Sequence, residues 1–205
     1  MTPKTTTFFK EALTRVGRDA ETVVDIGGAL RISRERGDRY DSKHEWMREL
    51  LSGVEYKILD PVDTYHPDIV GDVHALPFED NSQGAIVCVS VLEHVENPIK
   101  ACAELYRVLR PGGYLLVYVP FLYYYHAERG YYKDYWRFTE DTLHMLFKDF
   151  SEMKIETVRG AIETLVLLLP FGRHPFIAIP ARFLDRVFHK TRSKQTSGFN
   201  VFLVK

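Results

Sequence analysis

The sequence predicts an α/β protein: an open, mostly parallel sheet with helices on both faces. Three observations predict it. Short apolar runs alternate along the chain with amphipathic segments of helical spacing. One run, "GAIVCVSV" at 84–91, is continuously apolar, as a central strand covered on both faces must be. Glycines or polar residues stand directly after the runs, and ligands of such sheets bind at the carboxyl ends of the strands.

The elements follow in order. Residues 7–17 read as a short amphipathic helix with Phe8, Phe9, Leu13 and Val16 on one side. "TVVDIGG" (22–28) reads as a buried strand ending in glycines, and the charged segment 31–41 as loop. Ser42 and Glu45 have the spacing of a capping box, opening a helix that carries Trp46, Met47, Leu50 and Leu51 and stops at Gly53. "EYKILD" (55–60) is a second strand and "PDIVGD" (67–72) a short third, with 84–91 the fourth. Asn97 and Pro98 suit the cap and first turn of the next helix. Its expected stripe is Ile99, Cys102, Ala103, Tyr106 and Leu109, and "PGG" (111–113) ends it. "YLLVYVP" (114–120) is the fifth strand. Thr139 caps a helix with Leu143, Leu146, Phe147 and Phe150 on one face; "MKIETV" (153–158) and "GFNVFLVK" (198–205) are the remaining strands. Residues 161–190 are expected as an apolar helical insertion broken by Pro170, Pro175 and Pro180.

At 205 residues the chain is expected as one domain, 1–205, with a good core. A net charge of −1 and no Lys/Arg-rich run argue against nucleic acid as partner. Cys88 and Cys102 lie in apolar contexts and fit a reducing compartment. The N-terminus has no apolar signal region, and "TLVLLLPF" (164–171) is too short to span a bilayer. The expectation is a soluble cytoplasmic protein, monomer or homodimer.

Asp25, Gly27 and Gly28 follow the first strand, Asp60 the second and Asp72 the third; Ser90, Glu93 and His94 follow the fourth. "VVDIGG", "YKILD", "DIVGDVHALPFEDNS", "VLEHVENP", "RVLRPGG" and "RFTEDTLHMLFKDF", spread over 22–150, resemble the class I S-adenosylmethionine-dependent methyltransferases. The similarity is to the small-molecule (type 11) branch that includes ubiquinone-biosynthesis enzymes. That resemblance implies a Rossmann-like sheet of seven strands with an antiparallel last strand. It implies S-adenosyl-L-methionine as cofactor, with Asp25 supporting the glycine loop and Gly27 and Gly28 passing close to the methionyl end. Asp60 would bind the ribose hydroxyls, Asp72 the adenine amine, the Val73 backbone would lie beside the ring, and the Ser90 carbonyl would meet the amino group. His94 would stand near the methyl or the acceptor. The loop departs from the family's D-x-G-x-G-x-G: Ala29 and Arg31 stand where the second and third glycines belong. A non-catalytic relative serving as a binding or scaffold protein is the alternative reading.

The aromatic run "PFLYYYHAERGYYKDYW" (120–136) follows the fifth strand, where an acceptor pocket would be built. His126 is the candidate base there, with Asp134 as a second base or as its orienting partner. Tyr123 and Tyr125 are candidate pocket walls and Arg137 a candidate binder of an anionic acceptor. No group has metal-ligand spacing, so no metal is expected. The acceptor would be a small metabolite or a glycan or lipid-linked intermediate. The apolar, arginine-bearing insertion allows peripheral membrane contact.

Overall fold

The structure, a computed structural model, describes residues 7–35 and 40–205. Residues 1–6 and, within the expected 31–41 loop, residues 36–39 lie outside the described residues. Seven strands form one sheet: β1 (Thr22–Ile26), β2 (Glu55–Asp60), β3 (Ile69–Val70), β4 (Gln83–Val89), β5 (Leu109–Pro120), β6 (Glu152–Thr157) and β7 (Gly198–Val204). Their spatial order is β3-β2-β1-β4-β5-β7-β6. Neighbours from β3 to β5 run parallel; β7 is antiparallel to both β5 and β6. The order reverses between β1 and β4, so the crevice at their carboxyl ends is the topological switch point where ligands bind.

Helices cover both faces. α1 (Thr7–Asp19) and α2 (Glu45–Leu50) pack on one side; α3 (Pro98–Val108) and α4 (Glu140–Leu146) pack on the other. The pleat of β4 sorts its side chains accordingly: Ile86 and Cys88 join α3 in one core, while Ala85, Val87 and Val89 join α1 in the second. Each fully buried Leu, Ile or Phe in these layers contributes roughly 1.5–3 kcal/mol. Cys88 and Cys102 are buried free thiols, and burial pushes the Cys102 thiol up to about 12.

Three expectations are corrected in detail. The capping box does not form. A 3-10 turn at Ser42–His44 precedes α2; Asp41 caps it by accepting the Lys43 N–H, while Glu45 turns outward to Arg34, Tyr40 and Arg48. The buried stripe of α3 is Pro98, Ala101, Cys102, Leu105 and Val108, and Ile99 is exposed. The Asn97 cap accepts the Lys100 N–H and fixes the first turn so that Ile99 points to solvent. That helix also ends before "PGG": Leu109 already pairs with Gln83, and an irregularity in the β4–β5 register absorbs the glycines.

The insertion is two helices, α5 (Ala161–Leu167) and α6 (Pro175–Val187). The Asp185 carboxylate of α6 accepts the backbone N–H groups of Ile162 (2.8 Å) and Glu163 (2.9 Å), capping α5 from its neighbour. The other side of the pair carries Phe171, Phe176, Ile179, Phe183, Val187 and Phe188, all exposed. Among the described residues no helix is long and apolar enough to cross a membrane.

Candidate active site

A cleft of 1980 Å³ opens over the carboxyl ends of β1, β2, β4 and β5. That is well above what one small ligand needs, and leaves room for a cofactor and a second molecule. At its first end the chain leaves β1 through Gly27 (φ 79°) and Gly28 (φ 62°). A Cβ on Gly27 would lie 3.0 Å from Val91, so the bend requires glycine on both counts. Ala29 is outside the left-handed region, but Arg31 occupies it (φ 52°). The loop therefore keeps a bend at the third glycine position although the glycine is gone. Arg31 lines the cleft; Arg34 is tied to Glu45 at 2.5 Å instead.

Asp25 is buried beneath this loop, where its Oδ2 accepts the Leu30 N–H at 3.0 Å and the Tyr56 hydroxyl. It braces the loop from below and is not a cleft-lining residue. Asp60, 6% exposed, closes β2, its Oδ1 accepting the Val62 N–H at 2.9 Å. Asp72 accepts the His74 N–H at 2.8 Å and contacts its ring Nδ1. Burial raises the Asp72 carboxyl pKa, but the backbone N–H and the ring of His74 outweigh it and hold the group below its usual value. Val73 is buried beside it, and Ser90 sits at φ 55° at the end of β4. Asp60, Asp72, Val73 and Ser90 all line the cleft with Gly27 and Gly28.

The second end is built from two segments. After Ser90 a 3-10 turn, Leu92–His94, plugs Leu92 into the core, buries the Glu93 side chain behind the cleft surface and sets His94 in the cleft wall. The aromatic run folds back over this turn. Tyr135 N–H (2.8 Å) and Trp136 N–H (3.2 Å) both donate to the Glu93 carbonyl, and Trp136 Nε1 donates to the Val95 carbonyl (2.9 Å). Phe138, 1% exposed, anchors the end of the run in the core. His126 is thereby set edge-on to His94, ring centroids 4.8 Å apart, with Tyr123 and Tyr132 alongside.

Both imidazoles are oriented by carbonyls. His94 Nδ1 donates to the Lys133 carbonyl (2.7 Å) and His126 Nδ1 to the Tyr124 carbonyl (3.0 Å). A carbonyl only accepts, so each Nδ1 carries the proton and each Nε2 is directed elsewhere. Both point at Glu93: Nε2 of His126 is 3.5 Å from its Oε1, and Nε2 of His94 is 3.8 Å away. The carboxylate is fully buried, and neither oxygen makes a hydrogen bond. At these separations the contacts are electrostatic. Glu93 raises the His126 pKa, burial opposes it, and the Tyr124 carbonyl adds to the rise.

Asp134 and Arg137 sit behind this group rather than in the cleft wall. Asp134 accepts the His126 backbone N–H (2.8 Å), and its Oδ2 is 3.2 Å from His126 Nδ1. Arg137 grips both Asp134 oxygens at 2.5 and 2.8 Å and donates to the Tyr124 (2.6 Å) and Trp136 (2.8 Å) carbonyls. The guanidinium holds the Asp134 carboxyl down at about 2. The structure thus gives Arg137 internal partners. Tyr123, Tyr124 and Tyr125 all line the cleft; Arg173 donates to the Tyr123 hydroxyl at 3.0 Å and lies over the Tyr124 ring. Glu93 is not among the candidate site residues that the sequence points to. The signal was present in a Glu-His pair directly after a central strand.

The sheet order, the single antiparallel strand and the switch-point cleft define a Rossmann-like open α/β fold with its ligand cleft at the strand ends. Residues 40–117, less than half of the chain, match the family model described as "Methyltransferase domain". The chain is similar to the ubiquinone/menaquinone biosynthesis C-methyltransferase of Ruegeria sp. (strain TM1040), 43% identical over 105 residues, which are 51% of this chain and 34% of that protein. The chain spans about a third or less of the curated relatives it matches. Among solved structures, a SAM-dependent methyltransferase from Archaeoglobus fulgidus superposes with a TM-score of 0.57 at 14% identity, over 97% of this chain and 93% of that one. Phosphoethanolamine N-methyltransferase 2 of Haemonchus contortus, solved with S-adenosyl-L-methionine, gives 0.52 at 12% identity, over 97% and 52%. The cofactor that the class I resemblance implies is S-adenosylmethionine. The first end of the cleft fits it in chemistry: a glycine bend, a buried carboxylate closing β2, an apolar Val73 and a backbone turn at Ser90.

Proposed function

We propose that this chain transfers a methyl group from S-adenosylmethionine to a small acceptor, bound between the glycine bend and the aromatic run. The observation that carries the reading is the order of groups around one cleft: Gly27 and Gly28, Asp60, Asp72 with Val73, Ser90, then His94 and His126. The bound cofactor supplies an already activated methyl on a sulfonium. The chain's residues have to bind, align and exclude water. Asp60 would accept hydrogen bonds from the two ribose hydroxyls, Asp72 from the adenine amine, and the Ser90 carbonyl from the amino group. Asp25 would hold the glycine bend in place. The rings of His94 and His126 would form the acceptor wall, with Asp134 fixing the His126 segment and Tyr123 and Tyr125 walling the pocket. Arg31 keeping the left-handed bend supports a working loop over the non-catalytic alternative.

Two features support a lipid-linked or otherwise apolar acceptor. The exposed side of α6 leads through Leu168–Arg173 into the cleft. Residues 171–194 hold six Lys or Arg against one acidic residue, Asp185, which suits an anionic membrane surface. The relative named for C-methylation in ubiquinone and menaquinone biosynthesis supports the same choice.

Calorimetric titration with S-adenosylmethionine tests the cofactor reading. Wild type should bind, and Asp60→Ala should bind about tenfold to a hundredfold more weakly, since one charge-assisted hydrogen bond is worth roughly 1.5–3 kcal/mol. No heat and no thermal shift at millimolar cofactor would sink it.

A further inference from the structure

Glu93, His94 and His126 form a cluster that the cofactor end of the cleft does not need. Each offers one ligand atom, and these atoms all lie within 4.8 Å of one another. A buried carboxylate without a hydrogen bond is costly to keep unless a positive charge compensates it. The two imidazoles beside it have their Nδ1 hydrogens held by the Lys133 and Tyr124 carbonyls. This is the outer-shell arrangement that orients ligating histidines and leaves Nε2 as the donor atom. The Asp134 carboxylate near His126 Nδ1 reinforces it. Access comes from one side: Glu93 is closed off, whereas the His94 and His126 side chains are 11% and 30% exposed toward the cleft.

We propose that Glu93, His94 and His126 form a divalent-metal site on the acceptor wall of the cleft. Two imidazole nitrogens and one carboxylate oxygen select a borderline transition ion, of the Zn²⁺, Fe²⁺, Mn²⁺ or Co²⁺ type, over the oxygen-seeking Mg²⁺ and Ca²⁺. Three protein ligands leave coordination positions open. On the methyltransferase reading, those positions face the acceptor, and an acceptor with an oxygen donor could occupy one. Ion binding itself does not rest on that reading.

The test uses the full untagged chain, stripped with a chelator that is then removed, and Zn²⁺ alone as probe. Titration calorimetry should show one ion per chain and a raised melting temperature. Glu93→Gln and His126→Gln should each weaken uptake by about tenfold or more. His144→Gln, at an exposed position of α4, should leave it unchanged. Circular dichroism checks that the variants fold. If Glu93→Gln does not, His126→Gln, on the partly exposed run, carries the comparison. Uptake well below one ion per chain, or undiminished uptake in the folded variants, overturns the proposal. The same stripped protein is titrated with S-adenosylmethionine. Cofactor binding without zinc uptake sinks the metal site alone, and zinc uptake without cofactor binding sinks the methyltransferase reading alone.

Discussion

Removing the Arg137 side chain should destabilise the protein rather than merely weaken one substrate. Its guanidinium joins the Asp134 carboxylate bidentately and donates to the carbonyls of Tyr124 and Trp136. The Asp134 side chain is fully buried, so Arg137→Ala strands a negative charge with little beyond the His126 N–H and ring to compensate it. Breaking a buried pair by removing one partner costs about 3–5 kcal/mol. Arg137 keeps 27% of its side-chain exposure, so water softens the loss and about 3 kcal/mol is the figure to expect. For a chain of this size that lowers the melting temperature by roughly 6–12 °C. Arg137→Lys should rescue little, because an ammonium cannot reproduce the two-pronged grip. Adding Asp134→Asn to Arg137→Ala should recover stability, since the stranded charge disappears; a double-mutant cycle measures this. Urea unfolding of wild type, Arg137→Ala, Asp134→Asn, the double variant and Arg137→Lys is the assay. A structural role for Arg137 is refuted if Arg137→Ala loses less than about 1 kcal/mol while only the Michaelis constant for an anionic acceptor rises. That outcome would restore the anion-binding role that the sequence suggests.

Gly160→Ala should loosen the α5–α6 pair, because its Cβ would fall 2.3 Å from the Asp185 carboxylate carbon and dislodge the cap on Ile162 and Glu163. A loss of about 2 kcal/mol and faster proteolysis within 160–190 are expected; an unchanged melt refutes the capping role. On the membrane side, wild type should cosediment at low salt with phosphatidylglycerol vesicles and not with purely zwitterionic ones. Phe176→Ser and Phe183→Ser should each weaken this by on the order of tenfold, from about 1.5 kcal/mol of apolar burial per side chain. Equal sedimentation of the double variant would remove α6 as the contact.

The sheet was legible because its strands are apolar runs whose pleat and burial leave a local trace: "GAIVCVSV" fits a central strand by composition alone. Helix faces were harder. Ile99 matched a helical stripe as well as Ala101 did, and only the Asn97 cap geometry put it outside. Ser42 and Glu45 had capping-box spacing, but Arg34 and Tyr40, brought close by the preceding loop, drew Glu45 away. At the site, groups carried by a strand end could be found from strand position, as with Asp60 and Ser90. The Glu93–His94–His126 group could not, because His126 reaches the other two only when the aromatic run folds back onto the turn after β4. Arg137 shows the same limit: nothing local distinguishes a clamp on Asp134 from a hand held out to a ligand.

The strapping of the aromatic run has a kinetic side. Tyr135 and Trp136 are bonded to Glu93, the Trp136 indole to Val95, His94 to Lys133, and Phe121 and Leu122 to Ser197 and Thr196. Ordering such a segment costs about 1–2 kcal/mol per residue in backbone entropy, and here the loss falls at folding. On the proposed function, an incoming acceptor would meet a wall already in place, and encounter would not wait for the run to close. Its stay should then be governed by its own contacts with the tyrosines, and its arrival by how quickly it finds the outer rim at Tyr125 and Tyr131.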